Sequence, residues 1–277
     1  MSVPRVLSIA SSDSGGGAGI QADLKAFARC GAHGMTAVVA LTAQNTLGVT
    51  AIHEVPPAFV RAQIDAVLDD IGADAVKTGM LFSAPLIEAV AEALAPRRLP
   101  LVVDPVMVAS SGSRLLREDA VKTLVVRLFP LATVLTPNLP EAQALTCLVT
   151  EDRAVLAERL AEMGAPAVLI TGGHGAEPVD HLFDGSAHLA IPVARYPVAA
   201  THGAGCTHSA ALAAGLAAGL PLADAARQAA SVAGQAVAHG LAGLGGGDGP
   251  VHVLHDVPPF PAHPATLTSS TGEQRDE

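Results

Sequence analysis

The stretch "DAVKTGMLFSAPLIEAVAEALAPRRLPLVVDPVM" (74–107) holds three short segments of different period. "DAVKTGM" (74–80) and "PLVVDPVM" (100–107) are nearly unbroken apolar runs and read as strands buried on both faces. Between them, "APLIEAVAEAL" (84–94) has proline at its start and apolar residues at helical spacing. A strand, a helix and a second strand in so short a span make a crossover unit, whose two strands run parallel.

The same alternation continues on both sides. "RVLSIAS" (5–11) is a strand that ends in a glycine-rich turn, and "GIQADLKAFARCG" (19–31) is a helix closed by Gly31. "MTAVVALTAQ" (35–44) and "VTAIHEV" (49–55) read as strands, and 56–72 as a helix with Val60, Ile64, Val67, Leu68 and Ile71 on one face. After residue 107 come a helix (119–129), a strand (132–138), helices (139–145 and 152–164) and a strand (166–173). A hairpin around Asp184–Gly185 follows, and then helices at about 205–219 and 222–240. The predicted fold is therefore α/β, a mostly parallel sheet with helices on both faces, in one domain over 1–257. Residues 258–277, rich in Pro, Ser, Thr and charge, are expected to be a disordered tail.

In such folds ligands bind at the carboxyl ends of the strands. That singles out Gln44, Lys77 to Met80, Asp104 to Met107, Asn138, and Thr171 to His174. The formal net charge of −10 argues against binding nucleic acid or an anionic membrane. It leaves phosphorylated ligands open, since backbone amides and a metal can hold phosphate without a basic surface. No apolar run is long enough to span a membrane without interruption, and the first residues resemble neither a signal peptide nor an anchor. Three scattered cysteines make no disulfide framework or zinc site, which points to a reducing cytoplasm. "HVLH" (252–255) has ligand-like spacing but no further cluster to complete a zinc site.

Two glycine-rich stretches precede helices. "SDSGGGAGIQAD" (12–23) is either a phosphate or substrate loop or a plain tight turn. "HGAGC" (202–206) is more informative. Its glycines let backbone N–H groups of Gly203, Ala204 and Gly205 face an anion, and the helix behind adds positive charge. There Cys206 is expected to have a lowered pKa, whereas Cys30 and Cys147 read as small buried residues. His202 is expected to shape the turn. Asp104 and Glu141 suit Mg²⁺, with a turn aspartate and a first-turn helix acid as the plainer readings.

Taken together, these motifs resemble the hydroxymethylpyrimidine/phosphomethylpyrimidine kinases of thiamine biosynthesis, in the ribokinase-like superfamily. The resemblance rests on "SIASSDSGGGAGIQADLKAF" (8–27), "TAQNTLGV" (42–49), "KTGML" (77–81), "VVDPVM" (102–107), "LTPNLPEA" (135–142), "GGH" (172–174), "THGAGCTHSAAL" (201–212) and "GPVH" (249–252). It implies a ribokinase-like fold, a cytoplasmic homodimer, and ATP and Mg²⁺ as donor and metal. The implied reaction phosphorylates 4-amino-5-hydroxymethyl-2-methylpyrimidine and then its monophosphate. Gln44 would grip the pyrimidine, with Asp23, Ala18, Met80, Val106 and Met107 completing the pocket. Cys206 would be the catalytic base on the turn of Gly203, Ala204 and Gly205. Lys77, Asn138, Thr171 and Gly173 would face the nucleotide, and Asp104 and Glu141 the metal.

One position departs from the pattern. The family commonly has lysine before "GGH", and here it is Thr171. The chain's lysines are Lys25, Lys77 and Lys122, so a nearby arginine or Lys77 would have to supply the missing cation. The rival readings are a pyridoxal kinase, from the same superfamily, and a ligand-binding sensor that has lost catalysis.

Overall fold

The computed structural model describes residues 3–108 and 115–258; the expected tail, from 259 onward, lies outside them. The crossover unit read from 74–107 is present. β4 (Ala75–Thr78) and β5 (Leu101–Val103) pair in parallel, and α3 (Ala84–Leu94) connects them. They belong to a nine-stranded sheet with β1 (Arg5–Asp13), β2 (His33–Asn45), β3 (Gly48–Glu54), β6 (Val134–Leu135), β7 (Val168–Ile170), β8 (Val179–Phe183) and β9 (His188–Pro192). The order is β3-β2-β1-β4-β5-β6-β7-β8-β9. From β2 to β7 every pairing is parallel, and the antiparallel strands β3, β8 and β9 lie at the two edges.

Helices cover both faces. The core on one face joins the sheet to α2 (Pro57–Asp70), α3, α4 (Ala120–Arg127), α5 (Leu139–Thr146) and α6 (Arg153–Glu162). The core on the other joins it to α1 (Gly19–Arg29), α7 (Ala204–Ala217) and α8 (Leu222–Ala238). The strand period of two divides the side chains between these cores. Leu101, Val103 and Leu135 face one, and Val102 and Val134 the other. α7 and α8 meet through alanines, which lets them lie close to each other.

The expected elements are all found, but four central strands, β4 among them, are shorter than their apolar runs. Sheet pairing takes in Ala75–Thr78, Leu101–Val103, Val134–Leu135 and Val168–Ile170, and the rest of each run bends into the loop at its carboxyl end. The chain runs outward from β1 to β2 and returns to β4 on the other side. The carboxyl ends of β1 and β4 therefore flank a switch point, where such sheets open a crevice.

Candidate active site

The glycine-rich turn after β1 is organised by a residue the sequence did not single out. Asp13, the last residue of β1, accepts hydrogen bonds from the backbone N–H of Gly15 (2.8 Å), Gly17 (3.0 Å) and Ala18 (2.8 Å). His202 Nε2 donates to the same carboxylate at 3.0 Å. Burial works against the Asp13 charge, but His202 and these amides hold its pKa below the usual range. Those amides are therefore occupied by Asp13 and form no open phosphate cradle. The role expected for His202 is seen: it ties the first glycine turn to the second.

The second turn opens α7. Gly203 is left-handed, with φ 85°, and a side chain there would overlap the Gly17 carbonyl. Glycine at 203 is what lets the two turns touch. Ala204, Gly205 and Cys206 form the first helical turn; contrary to expectation the Ala204 N–H is taken by the Thr201 carbonyl at 3.0 Å, while those of Gly205 and Cys206 lack intrahelical partners. A side chain at Gly205 would meet nothing within 4 Å, so this turn faces open space.

Cys206 departs from expectation. Burial pushes its thiol up to about 12, and the charges of Asp23 and Asp104 add to the rise. The Lys77 ammonium and the Gly19 N–H pull the other way without prevailing. The expectation of a lowered pKa counted the helix dipole but not the removal of the sulfur from water. Cys147 also differs, being exposed in a left-handed conformation at the end of α5, while Cys30 is half-buried.

Beneath the turn lies a fully buried ion pair. Lys77 Nζ contacts both Asp23 oxygens at 2.9 and 3.0 Å, and Ser8 Oγ donates to Asp23 at 2.6 Å. Burial alone would lower the Lys77 pKa, but the Asp23 charge first, and then that of Asp104, outweigh it and keep the ammonium charged. Neither side chain has exposed surface, so neither presents an atom to the crevice. Gly79 makes room for the ammonium, since a side chain there would meet Lys77 Nζ at 2.9 Å.

The remaining candidates follow the strand ends in order. Gln44, near the end of β2, accepts from Thr42 Oγ1 at 3.0 Å, and its Nε2 lies 3.4 Å from His202 Nε2. Ala18, Val106 and Met107 are half-buried and Met80 is buried. Asp104, beyond β5, accepts from Ser209 Oγ of α7 at 2.8 Å. Glu141 completes a capping box on α5, accepting from Asn138 N while Asn138 Oδ1 accepts from Glu141 N. Burial, and then the Asp104 charge, lift the Glu141 pKa to about 8. Asn138 bridges to Thr171 at the end of β7, and a side chain at Gly173 would again meet only open space.

Among the described residues, no three His, Cys, Asp or Glu side chains gather as a metal cage. Mg²⁺ does not need one, because it binds through one or two carboxylates and keeps water and phosphate oxygens as its other ligands. Asp104 and Glu141 are both buried, the Asp104 charge makes ionising Glu141 harder, and carboxylate oxygens of this kind fit such a hard cation. Sequence reasoning missed Asp13 and also Asp180, which accepts from Gly172 N (2.6 Å) and His208 Nε2 (2.8 Å). The signal for Asp13 was its place at the edge of a glycine motif; Asp180, in β8, had none.

Known proteins bear on this arrangement. The family model for phosphomethylpyrimidine kinase matches residues 13–252. A hydroxymethylpyrimidine/phosphomethylpyrimidine kinase of Rhizobium meliloti (strain 1021) is 48% identical over 90% of this chain and 96% of its own. The crystal structure of a Bacillus subtilis pyridoxal kinase, an ADP complex, has a TM-score of 0.82 at 37% identity and covers 93% of this chain and 100% of its own. A phosphomethylpyrimidine kinase structure from Clostridium difficile 630 has a TM-score of 0.73 at 38% identity, with 82% and 96% covered.

Proposed function

The chain belongs to the phosphomethylpyrimidine kinase family, and on that premise we propose how its residues divide the work. It is an ATP-dependent kinase of thiamine biosynthesis. It phosphorylates the hydroxymethyl group of 4-amino-5-hydroxymethyl-2-methylpyrimidine, and then the monophosphate to the diphosphate. The observation that supports the division of roles is the row of strand ends itself. Gln44 stands on one side of the α7 turn, and Asp104 and Glu141 stand on the other.

Phosphoryl transfer depends mainly on position and on stabilising charge. The pyrimidine has an edge that both donates and accepts, and the Gln44 amide can answer both. Ala18, Met80, Val106 and Met107 line that side with apolar surface. The N–H groups of Gly203, Gly205 and Cys206 face the transferring group, as an anion site at a helix start does, while that of Ala204 is held by Thr201. Asp104 and Glu141 would hold Mg²⁺, which would supply charge neutralisation at the donor phosphates. Asn138, Thr171 and Gly173 lie on the nucleotide side. Cys206, in its thiolate form, takes the proton of the attacking hydroxyl. Lys77 and Asp23 act from below the crevice, as a buried pair that fixes α1 against β4. We place this activity in one domain over 1–257, acting as a homodimer in the cytoplasm.

The second reading, a pyridoxal kinase, is favoured by the fold match to the Bacillus subtilis enzyme. Turnover on the two substrates separates them. ADP release should be fast with the hydroxymethylpyrimidine and at least tenfold slower, as kcat/KM, with pyridoxal. The reverse order would make pyridoxal the substrate, and no release with either would leave only a binding protein.

A further inference from the structure

Among the described residues, the nucleotide side of the crevice is short of cations. Asp104 and Glu141 are acidic, and a nucleoside triphosphate brings further negative charge. Lys77 is locked beneath the floor by Asp23, and Thr171 carries none. Two arginines nevertheless reach the loop 172–177 that follows β7, from different sides and in different ways. Arg153 is buried, and its Nη2 donates to the carbonyls of His174 (2.7 Å) and Glu177 (3.2 Å). Arg195, from the segment between β9 and α7, is exposed. Its guanidinium donates to the Gly175 carbonyl and lies 3.5 Å from the carbonyls of Gly172, Ala176 and Glu177.

The difference matters for what each can do. Arg153 braces the loop from within the protein. Arg195 rests on carbonyl dipoles, and three of its four contacts are at the weak limit of a hydrogen bond. Its charge faces partial charges only, so most of its five donors remain available to a stronger acceptor. The loop keeps its Arg153 brace if Arg195 turns away. Gly172, which Arg195 touches, directly follows Thr171, and Thr171 bridges to Asn138, the cap residue bonded to Glu141.

We propose that Arg195 is the cation that binds the phosphates of the nucleoside triphosphate, taking a role that Thr171 cannot fill. This rests on the kinase reading for the identity of the ligand. Its guanidinium offers two parallel N–H groups to phosphate oxygens, a geometry suited to a polyphosphate at the mouth of the crevice.

Binding of AMP-PCP, measured by calorimetry with Mg²⁺, tests this without requiring turnover. Arg195→Gln should weaken binding at least tenfold, with affinity for the hydroxymethylpyrimidine within twofold and the melting temperature unchanged. Thr171→Lys supplies a second cation beside the same phosphates. In the Arg195→Gln background the same Thr171→Lys change should restore most of the loss. An unchanged affinity in Arg195→Gln overturns the proposal. So does an equal loss for both ligands, or a double variant as weak as the single, since each would make Arg195 a loop brace only. If the wild type binds AMP-PCP but transfers no phosphoryl group from ATP to the pyrimidine, the kinase reading fails while the role of Arg195 is still decided by these variants.

Discussion

Cys206 is the third residue of α7, at the point where a turn facing open space meets a buried ion pair. Its thiol, raised to about 12, is protonated in the free protein at neutral pH. A base of that strength is scarce but strong, so its contribution should grow with pH rather than saturate. We expect kcat/KM for the pyrimidine, which reports the free enzyme, to rise from pH 6 to 9 in the wild type without a plateau assignable to Cys206. Cys206→Asp, whose carboxyl ionises at lower pH than the thiol, should move that rise to lower pH. Cys206→Ala should lower turnover by about 10²–10⁴-fold with both substrates bound within a few-fold of normal affinity. Wild-type turnover in Cys206→Ala would reduce Cys206 to a packing residue. Gln44 has a separate test. Gln44→Leu keeps the bulk, and Thr42 Oγ1 retains its bond to the Ser12 carbonyl at 3.0 Å. Pyrimidine binding should weaken by about 1–3 kcal/mol while ATP binding stays unchanged; calorimetry showing an equal loss for both would assign Gln44 to the fold instead.

At the scale of elements, the Lys77–Asp23 pair joins β4 to α1 with no exposed surface on either side chain. Lys77→Met strands a carboxylate in the core with only Ser8 as a partner, and should destabilise by about 3–5 kcal/mol in urea unfolding. Adding Asp23→Leu removes the stranded charge and should recover most of that loss. A single variant as stable as wild type, or a double no better than the single, would show that the pair contributes little to holding α1. The strands and helices themselves were legible because an apolar run and a helical stripe have different periods, as in 74–107. Strand length was not. "PLVVDPVM" is apolar to its end, yet pairing stops at Val103 because the chain must turn at Asp104 and Pro105 to form the crevice. The Asp13 cradle was hidden for a similar reason. An aspartate beside glycines does not reveal whether their amides point at it or at a ligand. For Cys206 the helix start could be read, but the burial could not.

For the whole molecule, the row of strand ends from β2 to β7 is the feature that sequence foresaw best. A parallel sheet brings residues far apart in the chain to one edge. Gln44 near the end of β2, and Asp104, Asn138 and Thr171 after β5, β6 and β7, all stand along that edge. What sequence could not supply was their depth: Lys77 and Asp23 were read as contacts and lie below the floor, while Arg195 was not read at all. The same edge has to serve two acceptors in turn, the alcohol and then its phosphate. An anion site at the start of α7 that can hold the transferring group in both rounds is central to this reading. Phosphorus NMR of a reaction containing the hydroxymethylpyrimidine, excess ATP and Mg²⁺ tests it most directly. Monophosphate should appear first and then give way to the diphosphate as ATP is converted to ADP; a product that stays at monophosphate under excess ATP, or no phosphorylated pyrimidine at all, would contradict two successive transfers at this one site.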